Sequence, residues 1–211
     1  MRPRPPHPLA DPGAFSELYW NVKMNPALSR KVEMQQLCIS DAPGQLQMHG
    51  QQGASMSTLL DYPDAKALRK RNGSDYADWT VQCMTLQDFL ELKGVSIHDV
   101  GLIKIDVEGA ETKVLPQLKP WLAEHKPNIL LSLHAYLFKQ DTKAHEAIKS
   151  VIALYDHPIW LNGNPVESGE MEKFAERCHL CEMLLTQHQI SREEIAAVKA
   201  SGAKFRKEQG I

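Results

Sequence analysis

Three acidic residues follow a short apolar run near the middle of the chain. The run, 102–107, alternates apolar with polar side chains as a β-strand does, and Asp106, Glu108 and Glu111 lie at or just beyond its end. Carboxylates can position a hydroxyl or an amino group, or take a proton from a bound substrate. Ligands of open α/β sheets bind at the carboxyl ends of the strands. This segment is therefore the first candidate site.

Each of these carboxylates also has a structural explanation. Asp106 and Glu108 could instead stabilise the N-terminus of the helix predicted after Gly109, which is worth ~0.3–1 kcal/mol. Glu111 falls in the first turn of that helix, and we assign it to this electrostatic role rather than to catalysis. Lys104 would lie in a buried strand and would need a partner or a route to solvent.

A histidine follows the next apolar run, 129–133. His134 could serve as a general base for a hydroxyl proton, or it could be a structural histidine with one satisfied nitrogen. A metal-dependent enzyme that uses Asp106, Glu108 and His134 ranks last, because the geometry of the three ligands is undefined. Cys178 and Cys181 lack the further ligands that a structural zinc site needs, so no metal is assigned.

Composition places the chain among ordinary globular domains. It has 211 residues, of which 43% are hydrophobic and 24% charged, with a formal net charge of -2. This charge gives no argument for binding nucleic acid or an anionic membrane. No apolar run approaches the ~20 residues of a membrane span, and the Pro-rich start has no secretory core. We expect a cytoplasmic protein without nucleic-acid or membrane partners.

Periodicity and capping residues predict alternating strands and helices, and therefore an α/β fold with a mainly parallel sheet. Helices are predicted from Asp11 to Asn25, over 86–92 after a Thr85 cap, after Gly109 and over 143–155, with Pro116 and Pro120 breaking the third. Strands are predicted at 32–40, 45–49, 79–84, 103–107, 129–133 and 181–185, with a hairpin at 159–166. The last strands form an antiparallel pair at the C-terminal edge.

Two blocks of sequence resemble a known family. Thr85-Leu86-Gln87-Asp88-Phe89, followed by Ile103 to Glu111, is similar to the signature of the FkbM family of S-adenosylmethionine-dependent methyltransferases. The resemblance implies a Rossmann-like sheet, S-adenosylmethionine as cofactor and O-methylation of a small-molecule or sugar hydroxyl. It implies catalytic roles for Asp106, Glu108 and His134, with Asp106 also at the cofactor.

The resemblance further implies that Asp41, after the third family strand, binds the cofactor's adenine amino group. Asp41 could equally be a turn former beside Pro43 and Gly44. Ser55 and Ser57 match the family's Ser-rich stretch and could line the substrate side, although loop serines usually bond to water.

One part of the family pattern is missing from this sequence. The family carries a first strand and a Gly-rich loop, and nothing before Asp11 supplies them; Leu9 falls where a ribose-binding acid is usual. We therefore expect an N-terminally incomplete domain that binds the cofactor weakly and can self-associate through the open edge of the Ile103 strand. The alternative is a non-catalytic or partner-dependent remnant of the fold. The expected organisation is a disordered leader at 1–10, the methyltransferase domain at 11–190 and a polar helical tail at 191–211.

Overall fold

The chain combines helices and strands in the part that the structure, a computed structural model, describes: residues 12–50, 57–59, 77–135, 138, 141–167, 181–197 and 200. The helices are α1 (Pro12–Lys23), α2 (Pro26–Ser29), α3 (Leu86–Lys93), α4 (Glu111–His125) and α5 (Thr142–Ile152), with a 3-10 turn at Ile97–Asp99. The strands are β1 (Cys38–Ile39), β2 (Gly44–Gly50), β3 (Ser57–Leu59), β4 (Ala77–Met84), β5 (Ile103–Ile105), β6 (Ile129–Leu133), β7 (Ile159–Trp160) and β8 (Cys181–Leu185). Residues 192–197 are also helical. The predicted α/β class is confirmed.

The first sheet has the order β1-β4-β2-β3. β2 and β4 pair antiparallel along their length, whereas β1 pairs parallel with β4. The strand predicted at 32–40 is wrong except for Cys38–Ile39. Its first residues have other partners: the Val32 N–H donates to the Leu28 carbonyl at the end of α2, and the Glu33 carboxylate pairs with Lys93.

The second sheet has the order β5-β6-β8-β7, in which β5 and β6 are parallel and β8 lies antiparallel to both β6 and β7. Across both sheets, two of the six described pairings are parallel and four are antiparallel. The described strands thus do not form the mainly parallel sheet expected from the sequence. β2 follows β1 with no helix between them among the described residues, and the two lie on opposite sides of β4, β1 parallel and β2 antiparallel to it.

Helix α4 continues through both of its prolines. Pro116 and Pro120 lie inside the single helix Glu111–His125, so the predicted break is wrong. Each proline removes one backbone donor and is unfavourable in a helix interior. The apolar face of α4 offsets this cost, because Leu115, Leu118 and Leu122 are almost completely buried.

The hydrophobic core is built around the second sheet, with α4 and α5 packed against it. Its members are Ile105, Val114, Leu115, Leu118, Leu122, Ile129, Leu131, Leu133, Ala135, Phe138, Ala144, Ile148, Val151, Ile152, Tyr155, Cys181, Met183 and Leu185. It fixes the relative positions of β5, β6 and α4, whose ends carry the candidate site.

Several sequence features lie outside the described residues: the leader 1–10 with Leu9, Asp11 at the start of the first predicted helix, Ser55 and Cys178. Among the helices that the structure does describe, none combines the length and apolar character needed to cross a bilayer.

Candidate functional site

The site lies where two parallel strands end side by side. β5 and β6 pair in the register Ile105 with Leu131, so their carboxyl ends reach the same edge of the second sheet. Asp106 directly follows β5, and His134 directly follows β6. The parallel pairing therefore brings together two residues that lie in different segments of the sequence.

A tight turn between β5 and α4 places the second carboxylate. The Ala110 N–H donates to the Val107 carbonyl, and both intervening residues, Glu108 and Gly109, have positive φ values of 47° and 97°. Glycine adopts this conformation freely, but a glutamate there is strained by about 1–3 kcal/mol. The turn reverses the chain so that Glu108 faces His134.

His134 is the centre of the cluster. Its Nδ1 lies 2.8 Å from Glu111 Oε1, and its Nε2 lies 3.4 Å from Glu108 Oε2 and 3.7 Å from Asp106 Oδ1. The side chains of His134 and Glu111 are 6% and 0% exposed. One ligand atom from each of Asp106, Glu108 and His134 lies within 4.8 Å of the other two. The structure thus brings together all three residues for which catalytic roles are expected.

Lys104 occupies a different environment from the one expected. Its side chain is 56% exposed, and its Nζ lies 2.7 Å from Asp106 Oδ2. Lys104 lies on the face of β5 opposite Ile103 and Ile105, and those two side chains pack on the core. The hydrogen bond to Asp106 raises the pKa of Lys104. Lys104 is therefore an exposed cation that holds one oxygen of Asp106.

Burial and mutual repulsion control the charges of the cluster. Burial raises the pKa of Glu108 above its usual value, and the neighbouring carboxylates of Asp106 and Glu111 add to this rise, against the attraction of His134. Burial alone would lower the pKa of His134, but the hydrogen bond to Glu111 and the negative charges of all three acids outweigh it, so the pKa is raised. A positive charge at His134 is favoured in this environment.

Glu111 is the residue whose role the sequence analysis missed. It begins α4, as expected, but its side chain is completely buried against His134 instead of lying at a solvated helix end. Its Oε1 also accepts a weak hydrogen bond from the Val107 N–H at 3.4 Å. A usable signal was present, because Glu111 precedes Val114, Leu115 and Leu118 by three, four and seven residues, the spacing of one helix face.

Asp41 is not among the residues of this cluster. Asp41 follows β1 in the first sheet, where its exposed carboxylate accepts a hydrogen bond of 2.8 Å from Ser40 Oγ. Ser57 begins β3 in the same sheet. The interpretation of Asp41 as a turn former is compatible with this position, and so is contact with a ligand from solvent.

The arrangement can bind a cation, orient a hydroxyl or accept its proton, all at the carboxyl edge of a sheet. A sequence model of the methyltransferase FkbM domain matches residues 10–178. No curated protein and no solved structure matches the chain. Since the domain match extends over more than half of the 211 residues, the chain belongs to the FkbM family of methyltransferase domains.

Proposed function

We propose that the protein is an S-adenosylmethionine-dependent O-methyltransferase that acts on a hydroxyl of a small molecule or a sugar. The observation that supports this most is the buried hydrogen bond between His134 and Glu111, with the second imidazole nitrogen facing Asp106 and Glu108. Methyl transfer to a hydroxyl needs a group that removes the proton as the new bond forms, and this cluster supplies one.

His134 is the base in this proposal. The Glu111 carboxylate accepts the Nδ1–H, so in the neutral imidazole Nε2 is the nitrogen that can accept a proton. An acceptor hydroxyl placed against Nε2 would give up its proton there as its oxygen becomes methylated; the cofactor would supply the methyl group, its S–CH3 bond would break, and it would leave as the neutral thioether. Asp106 and Glu108 lie within 3.7 Å of the same nitrogen, where they can accept hydrogen bonds from further hydroxyl or amino groups of the bound molecules. Their negative charges also stabilise the imidazolium that results.

The residues present fit the charge of the cofactor. S-adenosylmethionine supplies a methyl group on a positively charged sulfur and also carries an ammonium group. Asp106, Glu108 and Glu111 form a cluster rich in carboxylates at the sheet edge, which suits positive groups of this kind. Asp106 is the carboxylate that we assign to the cofactor. Asp41, exposed at the end of β1, is the residue proposed for the adenine amino group.

Transfer of a labelled methyl group from S-adenosylmethionine to a panel of small-molecule and sugar hydroxyls tests the proposal. His134→Asn should lower kcat about 10²–10⁴-fold, as expected for removal of a general base, with little change in cofactor affinity. Asp106→Asn should weaken cofactor binding measured by calorimetry. Glu91→Gln, an exposed carboxylate on α3, is the matched control and should behave as the parent protein. Undiminished turnover in His134→Asn would exclude this mechanism.

A second candidate function is a non-catalytic domain that pairs with another chain, and the edge of β5 favours it. The Ile103 N–H donates to the Asn128 carbonyl on the β6 side, so the N–H of Lys104 points away from β6. Self-association through this edge would protect that amide from exchange with solvent. Light scattering and amide hydrogen exchange test this directly. A monomer with rapid exchange at Lys104 would contradict self-association.

A further inference from the structure

Three electron-rich atoms converge at the edge of the second sheet. With the Nδ1–H of His134 donated to Glu111, the neutral imidazole presents the lone pair of Nε2. That lone pair faces Glu108 Oε2 at 3.4 Å and Asp106 Oδ1 at 3.7 Å. While His134 is protonated, its own Nε2–H is the positively charged group that faces the two carboxylates; when the imidazole is neutral, a cation can take the place of that proton.

The two separations measured from Nε2 suit a metal ion placed between the imidazole and the carboxylates. Zinc binds imidazole nitrogen and carboxylate oxygen at roughly 2.0–2.2 Å, which places two tetrahedral ligands roughly 3.4 Å apart. The distances from Nε2 to Glu108 and Asp106 are close to this value, and all three ligand atoms lie within 4.8 Å of one another. Three protein ligands would leave the fourth position open.

The groups behind the ligands are those that a metal site requires. Metal-binding histidines usually donate their other ring N–H to a carboxylate, and ligating carboxylates are themselves hydrogen-bonded. Glu111 occupies the first role at 2.8 Å from Nδ1, and Lys104 occupies the second at 2.7 Å from Asp106 Oδ2. Both the imidazole and one carboxylate are thus held in orientation from behind.

A buried oxygen without a partner provides a separate observation. Glu111 is completely buried, and its Oε2 has no hydrogen-bond partner among the described residues. This carboxylate lies directly behind the imidazole, and with Asp106 and Glu108 it makes three acidic groups around one histidine. A divalent cation at Nε2 would compensate this excess negative charge.

We propose that Asp106, Glu108 and His134 bind one divalent transition-metal ion, with Zn²⁺ preferred over Mg²⁺ because one ligand is an imidazole. The ion occupies the nitrogen that would otherwise accept the hydroxyl proton. It therefore competes with the methyl acceptor and inhibits transfer. This consequence rests on the proposed function, whereas the binding of the ion does not.

Titration with Co²⁺, a spectroscopic substitute for Zn²⁺, tests the binding. The protein, cleared of metal with a chelator, should bind one equivalent with visible absorption bands, and Zn²⁺ should displace it while Mg²⁺ should not. Asp106→Asn and Glu108→Gln, both at partly exposed positions, should each weaken binding at least about 10-fold. Glu91→Gln is the matched control, and His98→Asn tests the neighbouring His98–His125 pair as a competing site.

The outcomes separate the two proposals. Equal Co²⁺ affinity in the parent, Asp106→Asn and Glu108→Gln proteins would overturn the metal site, as would the absence of any spectral change. Stoichiometric binding that both substitutions weaken would support it, even in a protein that transfers no methyl group. Methyl transfer that Zn²⁺ inhibits, and that a chelator restores, would support both. Transfer that Zn²⁺ accelerates would overturn the competition between the ion and the acceptor.

Discussion

Replacement of Glu111 by glutamine tests the electrostatic coupling at the centre of the site. The substitution preserves the shape of the side chain and leaves an oxygen that can accept the Nδ1–H of His134. It removes the negative charge that favours the protonated imidazole. The raised pKa of His134 depends on this carboxylate, and in the glutamine variant the pKa should fall.

The size of the effect follows from the strength of the hydrogen bond. A bond to a charged partner contributes about 1.5–3 kcal/mol, and a neutral one about 0.5–1.5 kcal/mol. The charge of Glu111 is thus worth about 1–1.5 kcal/mol while His134 is protonated. Because the pKa of His134 is raised in the folded protein, this stabilisation is complete below the ordinary histidine pKa of about 6.5. It is lost as the pH rises through the raised value.

Urea unfolding of both proteins at about pH 5.5 and about pH 9, with a chelator and a reductant present, measures the difference. The variant should have a lower free energy of unfolding than the parent at the lower pH. This difference between the two proteins should be about 1–1.5 kcal/mol larger there than at the higher pH. Glu91→Gln controls for general effects of losing a carboxylate and should show no such pH dependence. An equal difference at both pH values would refute the coupling of Glu111 to the charge of His134.

Three further predictions concern the rest of the fold. Pro120→Ala, at an exposed position inside α4, should stabilise the protein by on the order of 2 kcal/mol in thermal unfolding, since the gain in helix propensity exceeds the loss of unfolded-state rigidity. Leu115→Ala should lower the free energy of unfolding in urea by about 2–5 kcal/mol. Leu92→Ala, at a residue 68% exposed, should change it by no more than about 0.5 kcal/mol. Cys38 and Cys83 should resist alkylation at about pH 8 until denaturant is added, because burial raises both thiol pKa values, that of Cys38 to about 12.

Elements specified by local sequence were predictable. The Asp88 N–H donates to Thr85 Oγ1 at 3.1 Å, which is the cap expected before α3. The strands 129–133 and 181–185 were also found at their expected positions, because their apolar side chains match the needs of a buried sheet. A structural element is easy to recognise from sequence when the local preferences of its residues and their long-range packing favour the same structure.

The sequence failed where long-range packing opposed a local rule. Pro116 and Pro120 should end a helix, but the burial of the opposite face outweighs them. Glu111 fits the rule for an acidic first helical turn, yet its environment depends on a histidine 23 residues away in the chain. Lys104 was expected in a buried strand, but it is the opposite face of β5, with Ile103 and Ile105, that packs on the core. None of these outcomes is determined within a short window of sequence.

The uneven distribution of the core has a consequence for local unfolding. The core cluster lies entirely between Ile105 and Leu185, whereas the first sheet has Val81 and Cys83 as its buried apolar residues in the described part. Regions with few buried apolar contacts open at a lower free energy than the molecule as a whole. The backbone amides of the first sheet should therefore exchange with solvent faster than those of the second sheet, and proteases should cleave the first sheet earlier. A ligand that contacts both Asp41 and Asp106 would oppose this opening, and its binding would be visible as slower exchange in β1 and β4.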